Sequence, residues 1–475
     1  MRVLFTHSYF LRFDPKQWKQ MQPYAPLGTI YAAAVLRENG FDVSLCDVMF
    51  SATPRDIVSA IEEFAPSVLV IYDDGFNYLT KMCLTNMREA AFEMAAIGKK
   101  YGCTVIVCSS DATDHYDKYL DSHADFIVTG EGEQTLLELV SQLREETSGY
   151  SAIDGLIFRA GNGTTIRTAP RKVMKELDEL PFPAWDLVDI EKYRSAWKQS
   201  TGYFSINMNT TRGCPFKCNW CAKPIYGNRY NVRSPEHVVN ELLQLKEKVG
   251  FDHVWFCDDI FGLKPGWIKR FAELIANHKL KFRFKIQSRA DLLLADEQIA
   301  PLAAAGCDIV WIGAESGSQQ ILDAMDKGIT TEQIGEATRH LKKHGVKVAY
   351  FLQFGYLGET REDIDKTLQM IRANMPSEIG ISVSYPLPGT KFYEKVHEQL
   401  KDKANWTDSD DLAMMFMNTF DATYYRYLYS YTHAYYRKYR AIKDFGFTLR
   451  KILKVPYYYY QEYRYRQKIN KYTRA

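Results

Sequence analysis

The sequence predicts an α/β protein: a doubly wound parallel sheet at the N-terminus, a partial βα barrel after it, and a helical C-terminal segment. Three observations predict this. Short apolar runs alternate with amphipathic stretches over residues 1–148, the same alternation returns over 204–400, and from 401 to 475 the chain turns rich in tyrosine and basic residues. Strands apolar on both faces, separated by helices, belong to parallel sheets that helices cover.

The first segment opens with an apolar strand at 2–6, then a helix at 27–39 stopped by Gly40, then a strand at 41–47. Helix 54–64 leads into the strongly apolar strand 67–72, and a long helix with small residues on one face spans 81–101. Strands 104–108 and 125–128 and helix 133–144 complete it. Such sheets bind ligands at the carboxyl ends of their strands, which singles out the loops 7–26, 73–78 and 109–117. Residues 149–203 read as a linker, with a hairpin turning at Gly161-Asn-Gly and the extended Leu180-Pro-Phe-Pro-Ala-Trp185.

Within 204–400 the candidate strands are 204–209, 253–257, 283–288, 309–314, 346–354 and 379–385. Helices at 235–249, 265–276, 297–305, 319–325, 331–344 and 361–374 fall among them. Tandem βα units predict a partial or full barrel whose chemistry gathers at the C-terminal ends of its strands. The last segment, with Tyr424-Tyr-Arg-Tyr and Tyr457-Tyr-Tyr-Tyr460, becomes strongly cationic beyond Arg450. It admits three readings: an amphipathic helical cap on the barrel, a membrane-surface patch, or a nucleic-acid contact.

The 475 residues can bury several cores, and a net charge of +2 gives no global electrostatic case for nucleic acid or membrane. The start, Met1-Arg-Val-Leu-Phe-Thr-His7, reads as a strand rather than a signal peptide, so a cytoplasmic location is expected. Nine cysteines in a chain this long make no disulfide scaffold. Cys46, Cys83, Cys103, Cys108, Cys257 and Cys307 are scattered and read as small buried hydrophobes.

The other three sit together in Thr211-Arg-Gly-Cys214-Pro-Phe-Lys-Cys218-Asn-Trp-Cys221, just after a predicted strand. Gly213 and Pro215 supply turn chemistry for a tight loop. Structural zinc would want a fourth ligand, and no Cys or His stands at finger-like spacing, His237 and Cys257 being the nearest. A four-iron cube takes thiolates, normally four. Three would leave one iron open to an outside ligand, a catalytic arrangement. Three unrelated buried thiols is the remaining alternative.

Cys-x-x-x-Cys-x-x-Cys after the first strand of a βα barrel resembles the radical S-adenosylmethionine (SAM) superfamily. The resemblance implies a [4Fe-4S] cluster on Cys214, Cys218 and Cys221, whose open iron chelates SAM and whose reduction releases a 5′-deoxyadenosyl radical. Trp220 fits the family's aromatic before the third cysteine, near the adenine. Later strand ends are similar to family segments. In Trp255-Phe-Cys-Asp-Asp259, Asp258 and Asp259 are candidates for the SAM amino group, or else caps of the next turn. Arg289 pairs with the SAM carboxylate or makes a structural ion pair. In Gly313-Ala-Glu315-Ser316-Gly317, Glu315 or Ser316 binds the ribose and methionine portions. Glu359, in the adenine-contacting stretch Phe354-Gly-Tyr-Leu-Gly358-Glu359-Thr360, is otherwise a helix N-terminal acid.

The first segment resembles the cobalamin-binding domain of one large radical SAM class, through Tyr24-Ala-Pro-Leu-Gly28, Ala33-Val-Leu-Arg-Glu-Asn-Gly40 and Asp125-Phe-Ile-Val-Thr-Gly-Glu-Gly-Glu133. Ser384-Tyr-Pro-Leu-Pro-Gly389-Thr390 and Asp410-Asp-Leu-Ala-Met-Met-Phe416 are also similar to this class, which includes the anaerobic magnesium-protoporphyrin ester cyclase. Cobalamin is therefore an implied cofactor. The chain departs in lacking Asp-x-His-x-x-Gly, whose His is a lower axial cobalt ligand in many cobalamin domains; members of this class often lack it. His115, in the polar run Ser109-Ser-Asp-Ala-Thr-Asp-His115, is either a cobalt ligand or a surface-loop histidine.

The expected activity is radical chemistry on an unactivated carbon: methyl transfer, or an oxidative or cyclising reaction, on a small or lipid-like substrate. An electron donor such as flavodoxin or ferredoxin is the implied partner, no nucleic acid is expected, and the tail is a candidate for peripheral membrane contact. A methylthiotransferase-like tRNA enzyme is the alternative. Against it, the N-terminal half has no second close cysteine set, and no small RNA-binding barrel follows residue 400. A non-catalytic iron–sulfur or zinc module leaves the polar residues recurring at strand ends without a role.

Overall fold

Fifteen strands appear in the computed structural model, which describes residues 1–77, 80, 84–221, 223, 225–400, 405–443 and 454–472. Tyr78, Cys83, Arg450 and the expected helix start at 81–83 lie outside the described residues. The chain divides into two units: Met1–Pro215 with Lys223–Asp259 and Asn405–Asp411, and Phe216–Ala222 with Ile260–Ala404 and Leu412–Ala475.

In the first unit the strands are β1 (Arg2–Thr6), β2 (Asp42–Leu45), β3 (Val68–Tyr72), β4 (Thr104–Cys108) and β5 (Phe126–Val128). They pair in parallel in the order β2-β1-β3-β4-β5. Helices α1 (Leu27–Glu38), α2 (Ile57–Phe64), α3 (Thr85–Lys100) and α4 (Glu133–Arg144) connect them. The apolar runs become strands because both faces are covered: every residue of β3 is buried, with one core layer against α2 and α3 and another against α1 and α4. The expected hairpin, β6 (Leu156–Arg159) and β7 (Thr165–Arg167), adds antiparallel strands to the β5 edge of the same sheet.

Farther along this unit come α5 (Ile190–Thr201), β8 (Ser205–Met208), the short antiparallel pair β9 (Thr211–Arg212) and β10 (Asn231–Val232), α6 (Pro235–Lys248) and β11 (His253–Phe256). Strands β8 and β11 are parallel neighbours.

The second unit continues the βα repeat with α7 (Trp267–Asn277), β12 (Arg283–Ser288), α8 (Asp296–Ala304), β13 (Cys307–Glu315), α9 (Gln319–Ala324), α10 (Thr331–Lys343), β14 (Lys347–Phe354), α11 (Arg361–Asn374) and β15 (Glu378–Val383). Strands β12 to β15 pair in parallel in chain order. This is the repeat of a partial βα barrel. Beyond it lie α12 (Lys391–Val396), α13 (Ala422–Lys443) and α14 (Lys454–Tyr472). Helix α13 buries Tyr424, Tyr425, Leu428 and Tyr431, and the Tyr436 hydroxyl reaches the Ser377 carbonyl at 2.6 Å, before β15. No described helix is long and apolar enough to cross a membrane.

Two expected loops are partly folded instead, and 7–26 carries a short helix, Pro15–Gln20, whose cap Asp14 accepts the Gln17 N–H at 3.2 Å. Within 109–117, Ser109 caps a short helix, Ser110–Asp114, by accepting the Ala112 N–H at 2.9 Å. Asp111 there accepts from the buried Arg88 guanidinium at 2.6 Å and from the Tyr119 hydroxyl at 2.8 Å. Those partners satisfy its charge, so a polar sequence is stable in a buried setting.

Candidate functional site

The cysteine loop begins where β9 ends. Gly213 takes φ +81°, and a Cβ there would lie 2.4 Å from the Arg229 carbonyl oxygen, so only glycine lets the loop leave the strand at this point. Cys214 is buried, and Cys218 and Cys221 are half-buried. Cys221 donates its N–H to the Cys218 carbonyl at 3.3 Å.

Asn219, between the last two cysteines, fixes the loop in the second unit. Its backbone N–H donates to the Met325 carbonyl at 3.0 Å, and its carbonyl accepts from the Phe392 N–H at 3.0 Å. Its side chain donates to the Ala324 carbonyl at 2.7 Å and to Asp326 at 3.1 Å, and accepts from the Tyr356 hydroxyl at 2.8 Å. Trp220 packs on the cluster of Ile321, Met325, Tyr356 and Phe392. Its buried indole N–H has no partner among the described residues.

Two cations approach Cys218. The Arg289 guanidinium lies 4.0 Å from its sulfur, stacks 3.8 Å from the Phe216 ring centroid and pairs with Asp291 at 3.0 Å. Lys327, which the sequence reading missed, donates to Glu315 at 2.7 Å with both side chains buried, and lies 6.0 Å from the Trp220 ring centroid. Burial alone would lower the Lys327 ammonium, but Glu315 and the Cys218 sulfur hold it above its ordinary value. Glu315 ends β13 at φ +54°, beside a register shift between Gly313 and Glu315, and this re-aims its side chain. Ser316 is buried and bonded locally: it accepts the Ser318 N–H at 3.1 Å and lies 3.2 Å from the Thr367 hydroxyl.

Glu359 is fully buried. It accepts the Gly355 N–H at 2.6 Å through one oxygen, and the other has no partner among the described residues. Burial, with Asp363 nearby, pushes its carboxyl up to about 8. In the first unit, Asp258 braces the exit of β8. It accepts the Thr210 and Thr211 N–H groups at 2.7 and 2.8 Å and the Thr210 hydroxyl at 2.5 Å. Burial raises it to about 6 against those bonds. Asp259 beside it is half-buried. The second unit thus brings Cys218, Trp220, Arg289 and Glu315 around Lys327, while Asp258 and Asp259 belong to the first.

At the carboxyl ends of the first unit's sheet lies a narrow hollow lined by Gly28, Asp73, Gly75, Ser109 and Gly130, with Ile225 and Tyr226 against it. A Cβ on Gly28 would meet Asp74 and Gly75 at 3.3 Å, and one on Gly75 would meet Ile225 at 2.4 Å. Glycine at these positions makes room for the chain itself, Gly28 for the Asp74–Gly75 backbone and Gly75 for the Ile225 side chain, so Ile225 and Tyr226 occupy the strand-end position where such sheets take a ligand. His115 stands 3.8 Å from Asp111, and burial lowers its imidazole. Near the hollow, Arg212 is buried between Glu131 and Glu133, at 2.7 Å from the latter, with Tyr31, Phe76 and Tyr226 around its guanidinium. Both glutamates come from the Thr-Gly-Glu-Gly-Glu run, but nothing in the sequence names Arg212 as their partner.

Comparison with known proteins fits this arrangement. Residues 208–371 match the radical SAM superfamily, and residues 21–140 match the B12 binding domain. An uncharacterised methyltransferase of Pyrococcus horikoshii is 29% identical over 389 residues, 80% of each chain. The anaerobic magnesium-protoporphyrin IX monomethyl ester cyclase of Rubrivivax gelatinosus is 27% identical over 285 residues, 58% of this chain and 50% of the relative. In fold, the chain is similar to the radical SAM methyltransferase TsrM of Kitasatospora setae, solved with cobalamin and a [4Fe-4S] cluster bound. That likeness has a TM-score of 0.69 at 20% identity, over 84% of this chain and 78% of the other. The chain therefore carries a B12-binding domain followed by a radical SAM domain; it is an enzyme, and its cofactors are a [4Fe-4S] cluster, SAM and cobalamin.

Proposed function

We propose that the enzyme transfers a methyl group to an unactivated carbon of a small or lipid-like substrate, in the cytoplasm, with reducing electrons from a flavodoxin- or ferredoxin-like donor. Cys214, Cys218 and Cys221 would hold the cluster. When bound, these cofactors supply a 5′-deoxyadenosyl radical and a cobalt-borne methyl group. The observation that carries this reading is the setting of Cys218, beside the Arg289 guanidinium and the buried Lys327. Cations there offset thiolate charge and suit a carboxylate-bearing ligand.

The chain's own residues then have definite tasks. Asn219 and Gly213 shape the thiol loop. Lys327, oriented by Glu315, and Arg289, oriented by Asp291, present positive charge to the methionine end of SAM. Trp220 and Glu359, whose indole N–H and one carboxyl oxygen have no partner among the described residues, face the purine portion. Asp258 holds the β8 exit in place, and Asp259 is the carboxylate for the SAM amino group. In the first unit, the carboxyl ends of the sheet strands take the corrin, where Ile225 and Tyr226 lie in this structure. Domain limits at 148, 203 and 400 accompany this reading.

A second reading, oxidative or cyclising chemistry, is favoured by the similarity to the protoporphyrin ester cyclase. One experiment separates the two. Chain reconstituted without oxygen, loaded with hydroxocobalamin, and given SAM, a strong reductant and extracts of a deletion strain forms 5′-deoxyadenosine in either case. S-adenosylhomocysteine appearing with it, and a product heavier by one methylene, supports methyl transfer. 5′-Deoxyadenosine alone supports the second reading. If Cys218→Ala still forms 5′-deoxyadenosine, both fail.

A further inference from the structure

The last helix has its two faces in an unusual order. Helix α14 packs on α13 through Glu462, which pairs with Lys438 at 2.5 Å, through the fully buried Ile469, and through Tyr472, whose ring lies 5.7 Å from that of Tyr427. Residues of a helix turn by about 100° each, so these three share one side. The opposite side carries Tyr457, Tyr460 and Tyr463, which are 57, 60 and 62% exposed, while Tyr459 lies over Lys438 at 5.0 Å. Arg464 and Lys471 lie on that same outward half, Arg466 stands on the flank beside Glu462, and all three are exposed.

The charge pattern is equally one-sided. Lys454–Tyr472 holds five basic residues and one acidic residue, and that acid, Glu462, is spent on Lys438. The outward face is therefore aromatic and cationic, with no carboxylate. Water is a poor match for such a surface: exposed large aromatics are normally scattered, and surface charges of both signs are normally mixed.

We propose that this outward face of α14 docks the enzyme on the anionic leaflet of a lipid bilayer. A tyrosine ring prefers the headgroup boundary, where its body is in apolar surroundings and its hydroxyl is wet. Lysine and arginine beside it gain from the negative surface potential. A helix so built lies in the plane of the interface, and none of the described helices spans a membrane. The face is a single convex helix side. A single-stranded nucleic acid, which also accepts aromatics and cations, needs a groove that tracks its backbone. The inference does not depend on the proposed reaction.

The test uses the full chain and reads sedimentation with vesicles. Three cations at the surface give roughly a hundredfold tighter binding to phosphatidylcholine vesicles carrying phosphatidylglycerol than to phosphatidylcholine alone, and salt weakens it. Tyr457→Ser/Tyr460→Ser/Tyr463→Ser lowers that binding by about tenfold or more. Arg464→Gln/Arg466→Gln/Lys471→Gln removes the preference for the anionic lipid. All six side chains face solvent, so helical circular dichroism and 5′-deoxyadenosine formation stay at wild-type levels. Wild-type chain left in the supernatant with phosphatidylglycerol vesicles overturns the proposal. So does either triple variant sedimenting like wild type, or a single-stranded RNA that these six residues bind in preference to the vesicles.

Discussion

Glu315 and Lys327 show how much a site depends on one buried pair. Glu315 occupies a left-handed backbone position that a non-glycine residue rarely takes, and Lys327 holds its carboxylate. Lys327→Met leaves that carboxylate buried without a counter-charge, which costs about 3–5 kcal/mol. Adding Glu315→Gln should recover part of the loss, and denaturant unfolding of the two variants measures the difference. Glu359 gives a pH-dependent counterpart. Folded, its carboxyl keeps a proton up to about pH 8, against an ordinary value of 4.5. The folded chain then binds more protons than the unfolded one between those values, so stability falls as pH rises through that window and levels off above it. Glu359→Gln keeps an acceptor for the Gly355 N–H and cannot ionise. Thermal midpoints of wild type and variant, compared from pH 5 to 9, should diverge in the variant's favour as pH rises, by a few kcal/mol at most. Parallel midpoints across that range would assign the carboxyl an ordinary value.

At the scale of elements, the cysteine loop depends on how it leaves β9. Gly213→Ala forces a Cβ against the Arg229 carbonyl at 2.4 Å, whereas Gly227, also at positive φ, has nothing within 4 Å of its Cβ position. Gly213→Ala should therefore bind well under the wild-type iron after anaerobic reconstitution. Gly227→Ala should bind nearly all of it, losing only about 1 kcal/mol of backbone strain. An iron assay on both decides. Elements of this kind were legible wherever local chemistry sets them. Helix α11 runs Arg361–Asn374 as the sequence predicts, because Thr360 and Asp363 form a reciprocal cap at its start. Strands β1, β4 and β12 likewise keep the limits their apolar or alternating runs predict. What the sequence hides is pairing at a distance. The run from Ser109 reads as a polar loop until Arg88 and Tyr119 are placed on Asp111. Lys327, in Asp326-Lys-Gly, reads as an ordinary turn residue until the bulge in β13 turns Glu315 toward it. The three cysteines stood out because their spacing is itself the signal.

For the molecule as a whole, the question is whether the rim of the hollow and the start of the cysteine loop, both in the first unit, are built as one piece or two. Arg212 bears on it. It lies two residues before Cys214, yet its guanidinium is buried between Glu131 and Glu133, on the loop that leaves β5 beside the hollow. One side chain thus ties the start of the cysteine loop to the rim of the hollow. The thiols themselves play no part in lining the hollow. Replacing Cys214, Cys218 and Cys221 with Ala should therefore abolish iron binding, about four per chain in the wild type, and leave the corrinoid absorption band after growth with hydroxocobalamin. Arg212→Lys should act differently. It keeps a positive charge between the glutamates but gives up the planar fork that reaches both at once. Both the rim and the loop then lose their fixed position, and corrinoid content and iron content should fall together, with circular dichroism holding near wild type. A fall in one cofactor alone would mean that Arg212 serves only that side, and that the two binding regions are positioned independently.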